Sequence, residues 1–411
     1  MANAYDVLVE RGFVKQVSDE RGLRAAMENP ITFYIGFDPT ASSFHVGNLL
    51  AIMGMVWMQR HGHRPIAVVG GGTGLVGDPT GKTVNRPILT REQIERNAEG
   101  LKAQLKHYLD FDEGRALMVN NAEWLTRLNY IEFLRDIGVH FSVNQMLAME
   151  TYRTKLESEA GLNFLEFNYA LLQAYDFLTL YREYDCILQM GGSDQWGNSL
   201  AGADLIRRVN GGQAYVLVFP LLTTASGAKM GKTEAGSVWL DPEHTSPYQF
   251  YQYWINTEDP DVERFLALYT FLPMEEVRAL GQLQGADIRR AKEVLAFEAT
   301  RITHGEEAAR EAQAASRALF GGGEGDVEAM PTTHLNVAEL ADGLTAAHLF
   351  FRVGLATSRA EARRLIQQGG AYLNGERIDA ADQMVTPHHL VNGSLFLRAG
   401  KKKYHRVVVV E

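Results

Sequence analysis

The sequence predicts an α/β fold: an open parallel sheet, followed by an α-helical domain and a small α+β domain at the C-terminus. Three observations predict it. Short β-rich apolar runs end in Gly or Asp-Pro, and a helix-length apolar segment separates the first two. A long helix-period stretch then gives way to a Gly-rich linker and a basic tail. Of 411 residues, 46% are hydrophobic and 22% charged, as in an ordinary globular chain with room for two or three domains.

"ITFYIGF" (31–37) and "RPIAVVGG" (64–71) read as buried strands. "LLAIMGMVWMQRHG" (49–62) between them has helical length, and strand–helix–strand at this spacing means parallel strands joined by a right-handed crossover. "CILQMGG" (186–192) and "AYVLVFP" (214–220) read as further buried strands, and residues 246–320 as mostly helical. "GGGEGDVEAMPTT" (321–333) has linker composition. Beyond it, helical "SRAEARRLIQQ" and strand-like "AYLNGERI" and "HRVVVV" make a compact unit.

Composition excludes several classes. A single cysteine, Cys186, rules out a disulfide framework and a cysteine-rich zinc site, and fits a reducing compartment. The N-terminus, "MANAYDVLVERGFVKQ", is charged throughout and lacks the apolar core of a signal peptide. The longest apolar stretch, Leu49 to Met58, is too short to span a bilayer, so a cytoplasmic protein without membrane contact is expected. His61/His63 and His388/His389 have no carboxylate or thiol company and read as surface histidines, so no metal site is expected. The net charge of −10 is uneven: from Thr345 onward ten Lys or Arg face five Asp or Glu, a net +5 that leaves −15 elsewhere. Such a tail is either a polyanion-binding appendage or a solvated surface of uneven charge.

"VVGGGTGLVGDPTGKT" (68–83) mimics two phosphate-binding loops. A triphosphate loop needs a glycine five residues before Gly81, where Val76 stands. A dinucleotide loop needs a helix starting inside Gly72, Gly74 and Gly77, but Asp78-Pro79 follows at once and Pro79 disfavours helix at Asp78. What remains is a glycine-rich turn at a strand's C-terminal end, where open α/β sheets bind ligands. Asp78 then either faces the crevice or closes an Asx-turn in its own loop.

Two further segments carry chemistry. In "YIGFDPTASSFHVGNLL" a helix starts near His45, and Gly47 leaves its first turn bare, so a flat ring can stack there while His45 and Asn48 donate hydrogen bonds. Alone, His45 reads as a capping or packing histidine. In "TTASGAKMGKTEAGS" (223–237), Lys229 and Lys232 sit in a glycine-rich loop suited to gripping a polyphosphate, though alone it reads as a solvated basic loop.

Together and in order, H-V-G-N and K-M-G-K-T resemble the H-I-G-H and K-M-S-K-S signatures of class I aminoacyl-tRNA synthetases. Asn48 replaces the second His, Gly231 the first Ser and Thr233 the last. "YIGFDPTASSFHVGN", "GGGTGLVGDPTGK", "FLRDIGVHFSVNQM", "QMGGSDQWGN" and "KMGKTEAG" are similar to the bacterial tyrosyl-tRNA synthetase family almost end to end. "GLATSRAEARRLIQQGGAYLNGERI" resembles an S-four-type RNA-binding domain. The resemblance implies a Rossmann-like parallel-sheet catalytic domain over 1–240 with a dimerisation insertion, and an α-helical anticodon-side domain over 241–325. A linker over 326–344 and the RNA-binding domain over 345–411 would follow.

It also implies an activity, tyrosine–tRNA ligation through tyrosyl-adenylate, with the tryptophanyl-tRNA synthetases as the alternative. ATP with Mg2+, L-tyrosine and tRNA(Tyr) would be its substrates, and the chain would be a homodimer through the region around 120–150. Tyr169, Gln173 and Asp176 fall at i, i+4 and i+7 of one helix, a face that reads by itself as merely the wet side. By resemblance, Tyr169, Gln173 and Asp78 hold the substrate ammonium, and Asp176 and Tyr34 its phenol. Gln189 and Gln195 meet substrate and adenylate. Thr40, His45, Lys82, Lys229 and Lys232 stabilise the phosphates. ATP contacts come from Gly36, Asp38, His45, Gly47, Asn48, Gly192, Asp194, Lys229, Lys232 and Thr233. Arg359, Arg363, Arg364 and Lys401, Lys402 and Lys403 are the candidate RNA contacts.

Overall fold

The computed structural model describes residues 3–80, 89–159, 161–227, 230–233, 236–321, 331–336, 339–340, 344–374, 376–390, 394–400 and 403–410. It divides into two compact units, Met1–His244 with Thr257–Ala291, and Thr245–Asn256 with Lys292–Glu411.

The first unit is built on a six-stranded sheet: β1 (Gln16–Val17), β2 (Thr32–Phe37), β3 (Arg64–Val69), β4 (Leu117–Asn120), β5 (Cys186–Gly192) and β6 (Tyr215–Phe219). Its order is β1-β6-β5-β2-β3-β4, parallel throughout except that β1 runs antiparallel to β6. The four expected strands are thus β2, β3, β5 and β6. Their β-branched and aromatic runs are buried on both faces, which suits a parallel sheet covered by helices.

Helices α1 (Val46–Arg60), α2 (Arg91–Leu105), α3 (Glu150–Leu156), α4 (Phe164–Phe167), α5 (Tyr169–Tyr184) and α6 (Trp196–Asn210) belong to this unit. α1 buries ten of its fifteen residues, which is why its sequence is apolar all round. From β2 the chain builds outward through β3 and β4 on one side, then returns to lay β5 and β6 on the other. The switch point therefore lies between β2 and β5, and a crevice opens at their carboxyl ends.

Two expectations are corrected here. His63 is buried, not a surface residue; its Nδ1 accepts the Ile31 N–H at 3.2 Å. Burial, and then His61, push its pKa down to about 4, so the ring is the neutral acceptor that this bond needs. The helical stretch expected as one domain over 241–325 is shared between the units. Val262–Tyr269 stays with the sheet because Arg11, buried, donates to the Ala267 carbonyl at 3.0 Å and to Leu272 at 2.6 Å. A single basic residue 250 positions upstream leaves no periodic signal.

The second unit contains α7 (Pro247–Ile255), α8 (Glu306–Gly321), α9 (Ala346–Arg352) and α10 (Arg359–Gln367). Its five-stranded sheet has the order Glu376–Arg377, Ala371–Leu373, Ser394–Ala399, Lys403–Val410, Thr332–Asn336. Leu349, Phe350, Ile366, Leu373, Leu395 and Val407 form its core. The last strand corrects the linker reading. Thr332–Asn336 pairs in parallel with Lys403–Val410 and buries Leu335, although "TTHLN" offers one large apolar residue and reads as coil.

Candidate active site

The H-V-G-N and K-M-G-K segments are neighbours at the mouth of the crevice. His45 is the N-cap of α1, and its N–H donates to Asn48 Oδ1 at 3.1 Å. The Val46 N–H donates to the Val238 carbonyl at 2.9 Å, and the Val238 N–H to the Gly231 carbonyl at 2.9 Å. Gly231 has φ +77°, and a Cβ there would lie 2.8 Å from the Gly47 nitrogen. Glycine at 231 is thus required by backbone conformation and close approach, not only tolerated as the loss of a hydroxyl. A Cβ on Gly47 would meet the His45 ring at 2.8 Å and the Met230 carbonyl at 3.4 Å. Gly36, at the end of β2, faces open space.

Lys232 and Thr233 pair with Ser237 and Gly236 in a short hairpin. Lys82 and Lys229 lie outside the described residues, as do the side chains of Lys232 and Thr233. Thr40, its N–H on the Asp38 carbonyl at 2.8 Å, lines a cavity of about 450 Å³ with Ser42, Arg96, Trp239 and His244.

Deeper in the crevice stand two polar clusters. The first is centred on Asp176, 4% exposed. Its carboxylate accepts from Trp124 Nε1 at 2.7 Å and Asn121 Nδ2 at 2.9 Å. Asn121 Nδ2 also donates to Thr73 Oγ1 at 3.0 Å, and Thr73 donates to Asp38 Oδ1 at 2.7 Å. The Tyr169 hydroxyl closes the chain on Asp38 Oδ2 at 2.9 Å. Burial pushes the Asp176 pKa up to about 7; the bonds from Asn121 and Trp124 oppose that rise and Asp38 adds to it. Tyr34 stands beside it, ring against Phe177 at 5.3 Å, its hydroxyl buried without a hydrogen-bond partner among the described residues. Burial, then Asp176 and Cys186, hold that phenol well above its ordinary pKa and therefore protonated.

The second cluster is centred on Asp78. Its Oδ1 accepts the Thr80 N–H at 2.8 Å and its Oδ2 the Gln195 amide at 2.8 Å. One oxygen thus closes the Asx-turn, and the other binds Gln195 just beyond the carboxyl end of β5. Asn198 Nδ2 donates to Gln173 Oε1 at 3.2 Å and reaches Gln195 Oε1 at 3.5 Å. Gln189 is 4% exposed, and its Oε1 is buried without a partner among the described residues. A Cβ on Gly192 would lie 2.4 Å from Asp194 Oδ1, so Asp194 folds back over β5.

The glycine-rich loop now has a physical explanation. A Cβ on Gly70 would strike Asp38 and Thr73, one on Gly71 Asn120, and one on Gly72 Leu125. These glycines let the loop pack against the Asp176 cluster, and the Gly72 N–H donates to Asn121 Oδ1 at 2.8 Å. Asn121, Trp124, Thr73 and Asn198 were missed from sequence. The first two lie over 50 positions before Asp176, at the N-cap and inside the four-residue helix Ala122–Leu125.

Chemically, the first cluster places a buried carboxylate and an unpaired phenol where a ligand hydroxyl could satisfy both. The second presents carboxylate and amide oxygens, which suit an ammonium. In the second unit, Arg359, Arg363 and Arg364 are exposed on α10, and Lys403, also exposed, opens the strand Lys403–Val410. Glu361 has its pKa lowered chiefly by hydrogen bonds from Thr357, with Lys403 and Arg364 adding to the effect. Arg359 also contacts His348 Nε2 at 3.0 Å, a residue sequence reading missed. Lys401 and Lys402 lie outside the described residues.

The family model for tRNA synthetases class I (W and Y) matches residues 26–321, and that for the tyrosine–tRNA ligase SYY-like C-terminal domain matches residues 324–407. The chain therefore belongs to the class I tRNA synthetases of tryptophan and tyrosine. The tyrosine–tRNA ligase of Desulfosudis oleivorans is 57% identical over 98% of each chain, and that of Syntrophus aciditrophicus 55% identical over 98% of each. A C-terminally truncated mitochondrial tyrosyl-tRNA synthetase of Aspergillus nidulans superposes with a TM-score of 0.71 at 30% identity, covering 78% of this chain and 95% of that one. Within the class, the chain falls with the tyrosyl-tRNA synthetases, and the tryptophan alternative is not favoured.

Proposed function

We propose that the chain activates L-tyrosine with ATP and transfers it to tRNA(Tyr), choosing tyrosine through Tyr34 and Asp176. The observation that carries the choice is the buried, unpartnered Tyr34 hydroxyl beside the buried Asp176 carboxylate. The substrate phenol donates to Asp176 and accepts from Tyr34. Phenylalanine leaves both groups stranded, and tyrosyl-tRNA synthetases are an established instance of such discrimination. Tyr169, Gln173 and Asp78 receive the ammonium, and Gln189 and Gln195 meet the substrate and the adenylate. That Tyr169 and Asp78 belong to hydrogen-bonded clusters around one crevice supports this assignment.

In the first step the tyrosine carboxylate attacks the α-phosphorus of MgATP and expels pyrophosphate. The carboxylate is already ionised at neutral pH, so no general base is needed, and positioning and charge stabilisation supply the catalysis. Thr40, His45, Lys82, Lys229 and Lys232 are assigned to stabilising the phosphates. Gly36, Asp38, Gly47, Asn48, Gly192, Asp194 and Thr233 are assigned to the rest of the nucleotide. In the second step a hydroxyl of the terminal adenosine attacks the activated carbonyl and releases AMP. Residues 345–411 hold the tRNA through Arg359, Arg363, Arg364 and Lys401 to Lys403.

We further infer a cytoplasmic homodimer. Ile131, Leu134, Val139 and Val143 are exposed apolar side chains within the expected interface, as befits a protein–protein surface. Among the described residues, no helix is long and apolar enough to cross a membrane. Charging of tRNA(Tyr) transcript with labelled tyrosine, beside tryptophan and phenylalanine, tests the reading. Charging with tryptophan in place of tyrosine would overturn it.

A further inference from the structure

We propose that Lys155, Glu166 and Tyr152 are positioning residues for the ammonium end of the amino-acid site, an inference that rests on the tyrosine reading above. Tyr152 and Lys155 lie three apart on α3 and so share a face. Lys155 Nζ sits 2.8 Å from Glu166 Oε1, the two side chains being 1% and 9% exposed. Glu166 is the third residue of α4. Its N–H donates to Asn163 Oδ1 at 2.9 Å, and its Oε2 accepts the Asn163 N–H at 3.4 Å. The Tyr152 hydroxyl donates to the Phe167 carbonyl at 2.9 Å and accepts the Ala170 N–H at 3.4 Å. The rings of Tyr152 and Phe167 pack at 5.3 Å.

These bonds grip the backbone on both sides of Tyr169, from Phe167 to Ala170. A four-residue helix such as α4 cannot hold its own direction. The start of α5, and with it Tyr169 and Gln173, takes its place from α3. A buried ion pair is a poor source of stability, because the cost of desolvating both charges offsets their attraction and an apolar pair would hold the fold as well. What the pair does supply is a fixed distance and direction between α3 and α4.

The test measures tyrosine affinity by equilibrium binding and thermal stability for the wild type, Lys155→Met, Tyr152→Phe and the double variant Lys155→Met with Glu166→Leu. The double variant removes both charges, so it folds even where the single variant, with its stranded carboxylate, does not. The double variant is expected to melt near the wild type yet bind tyrosine roughly tenfold more weakly, in line with the effect of small misplacements of a binding group. Tyr152→Phe is expected to weaken it by a few fold. Binding of 3-(4-hydroxyphenyl)propanoate, which lacks the ammonium, should change by less than about twofold. A double variant with wild-type tyrosine affinity would reduce the pair to a stability element. Equal losses for both ligands would mean that the whole site moved, and either result overturns the proposal. A wild type that binds neither ligand would instead refute the underlying tyrosine reading.

Discussion

Replacing Tyr34 with Phe tests the selection chemistry because it moves stability and activity in opposite directions. The Tyr34 hydroxyl is buried and has no hydrogen-bond partner among the described residues. An unsatisfied buried polar group costs about 1–3 kcal/mol. Its removal at constant ring packing against Phe177 should therefore leave the free protein as stable or about 1 kcal/mol more stable. That corresponds to a rise in Tm of up to roughly 2–4 °C for a domain of this size. With tyrosine bound, the hydroxyl makes one neutral hydrogen bond worth about 1 kcal/mol, or roughly fivefold in kcat/KM. Phenylalanine offers no such bond, so its kcat/KM should hold and discrimination should narrow about fivefold. Differential scanning calorimetry without ligand and tyrosine- and phenylalanine-dependent pyrophosphate exchange give the three numbers. A Tm drop of several degrees would mean the hydroxyl already has a partner, and equal losses for both amino acids would put Tyr34 outside the pocket.

The raised pKa of Asp176 predicts a pH dependence. The free native state keeps a proton that the unfolded chain releases, so this carboxyl's contribution to stability is full below its ordinary value of 3.8 and is lost as pH rises to about 7. A phenol donating to Asp176 favours the ionised form, so tyrosine affinity should rise with pH up to about 7 and binding should release a proton; calorimetry in buffers of different ionisation heat checks this, and pH-independent binding contradicts it. Alanine at Lys229 or Lys232 should slow adenylate formation in single turnovers while equilibrium tyrosine binding stays unchanged, because the lysines act on charge developed in the transition state. Weakened tyrosine binding with intact chemistry would count against that role. Ending the chain near Met330 should spare tyrosine-dependent exchange but abolish charging and flatten the salt dependence of tRNA binding; a truncated enzyme that charges at the full rate would refute the RNA role of the C-terminal unit.

The parallel sheet was legible because buried strands such as "RPIAVV" are continuous apolar runs bounded by breakers. The spacing of Tyr169, Gln173 and Asp176 along one face of α5 was legible, but by itself it read as a wet side, whereas Tyr169 and Asp176 are buried. What escaped were interactions made by single residues far apart in sequence. Asn121 and Trp124 hold Asp176 from the four-residue helix Ala122–Leu125 and its N-cap, which is too short to show a period. His63 looked like a surface residue because its neighbour His61 is polar and nothing local reveals that Ile31 needs an acceptor. Gly231 looked like a lost serine because φ is not written in a residue's name. Thr332–Asn336 looked like linker because its partner strand is 70 residues away.

The most direct measurement is kcat/KM for pyrophosphate exchange by the full chain with tyrosine, phenylalanine and tryptophan in turn. A site that closes a hydroxyl between Tyr34 and Asp176 predicts exchange with tyrosine at a kcat/KM at least a thousandfold above either competitor, on the order expected when a buried polar pair is left unpaired. Comparable exchange with phenylalanine would contradict the account, since it would show that Tyr34 and Asp176 do not read the substrate.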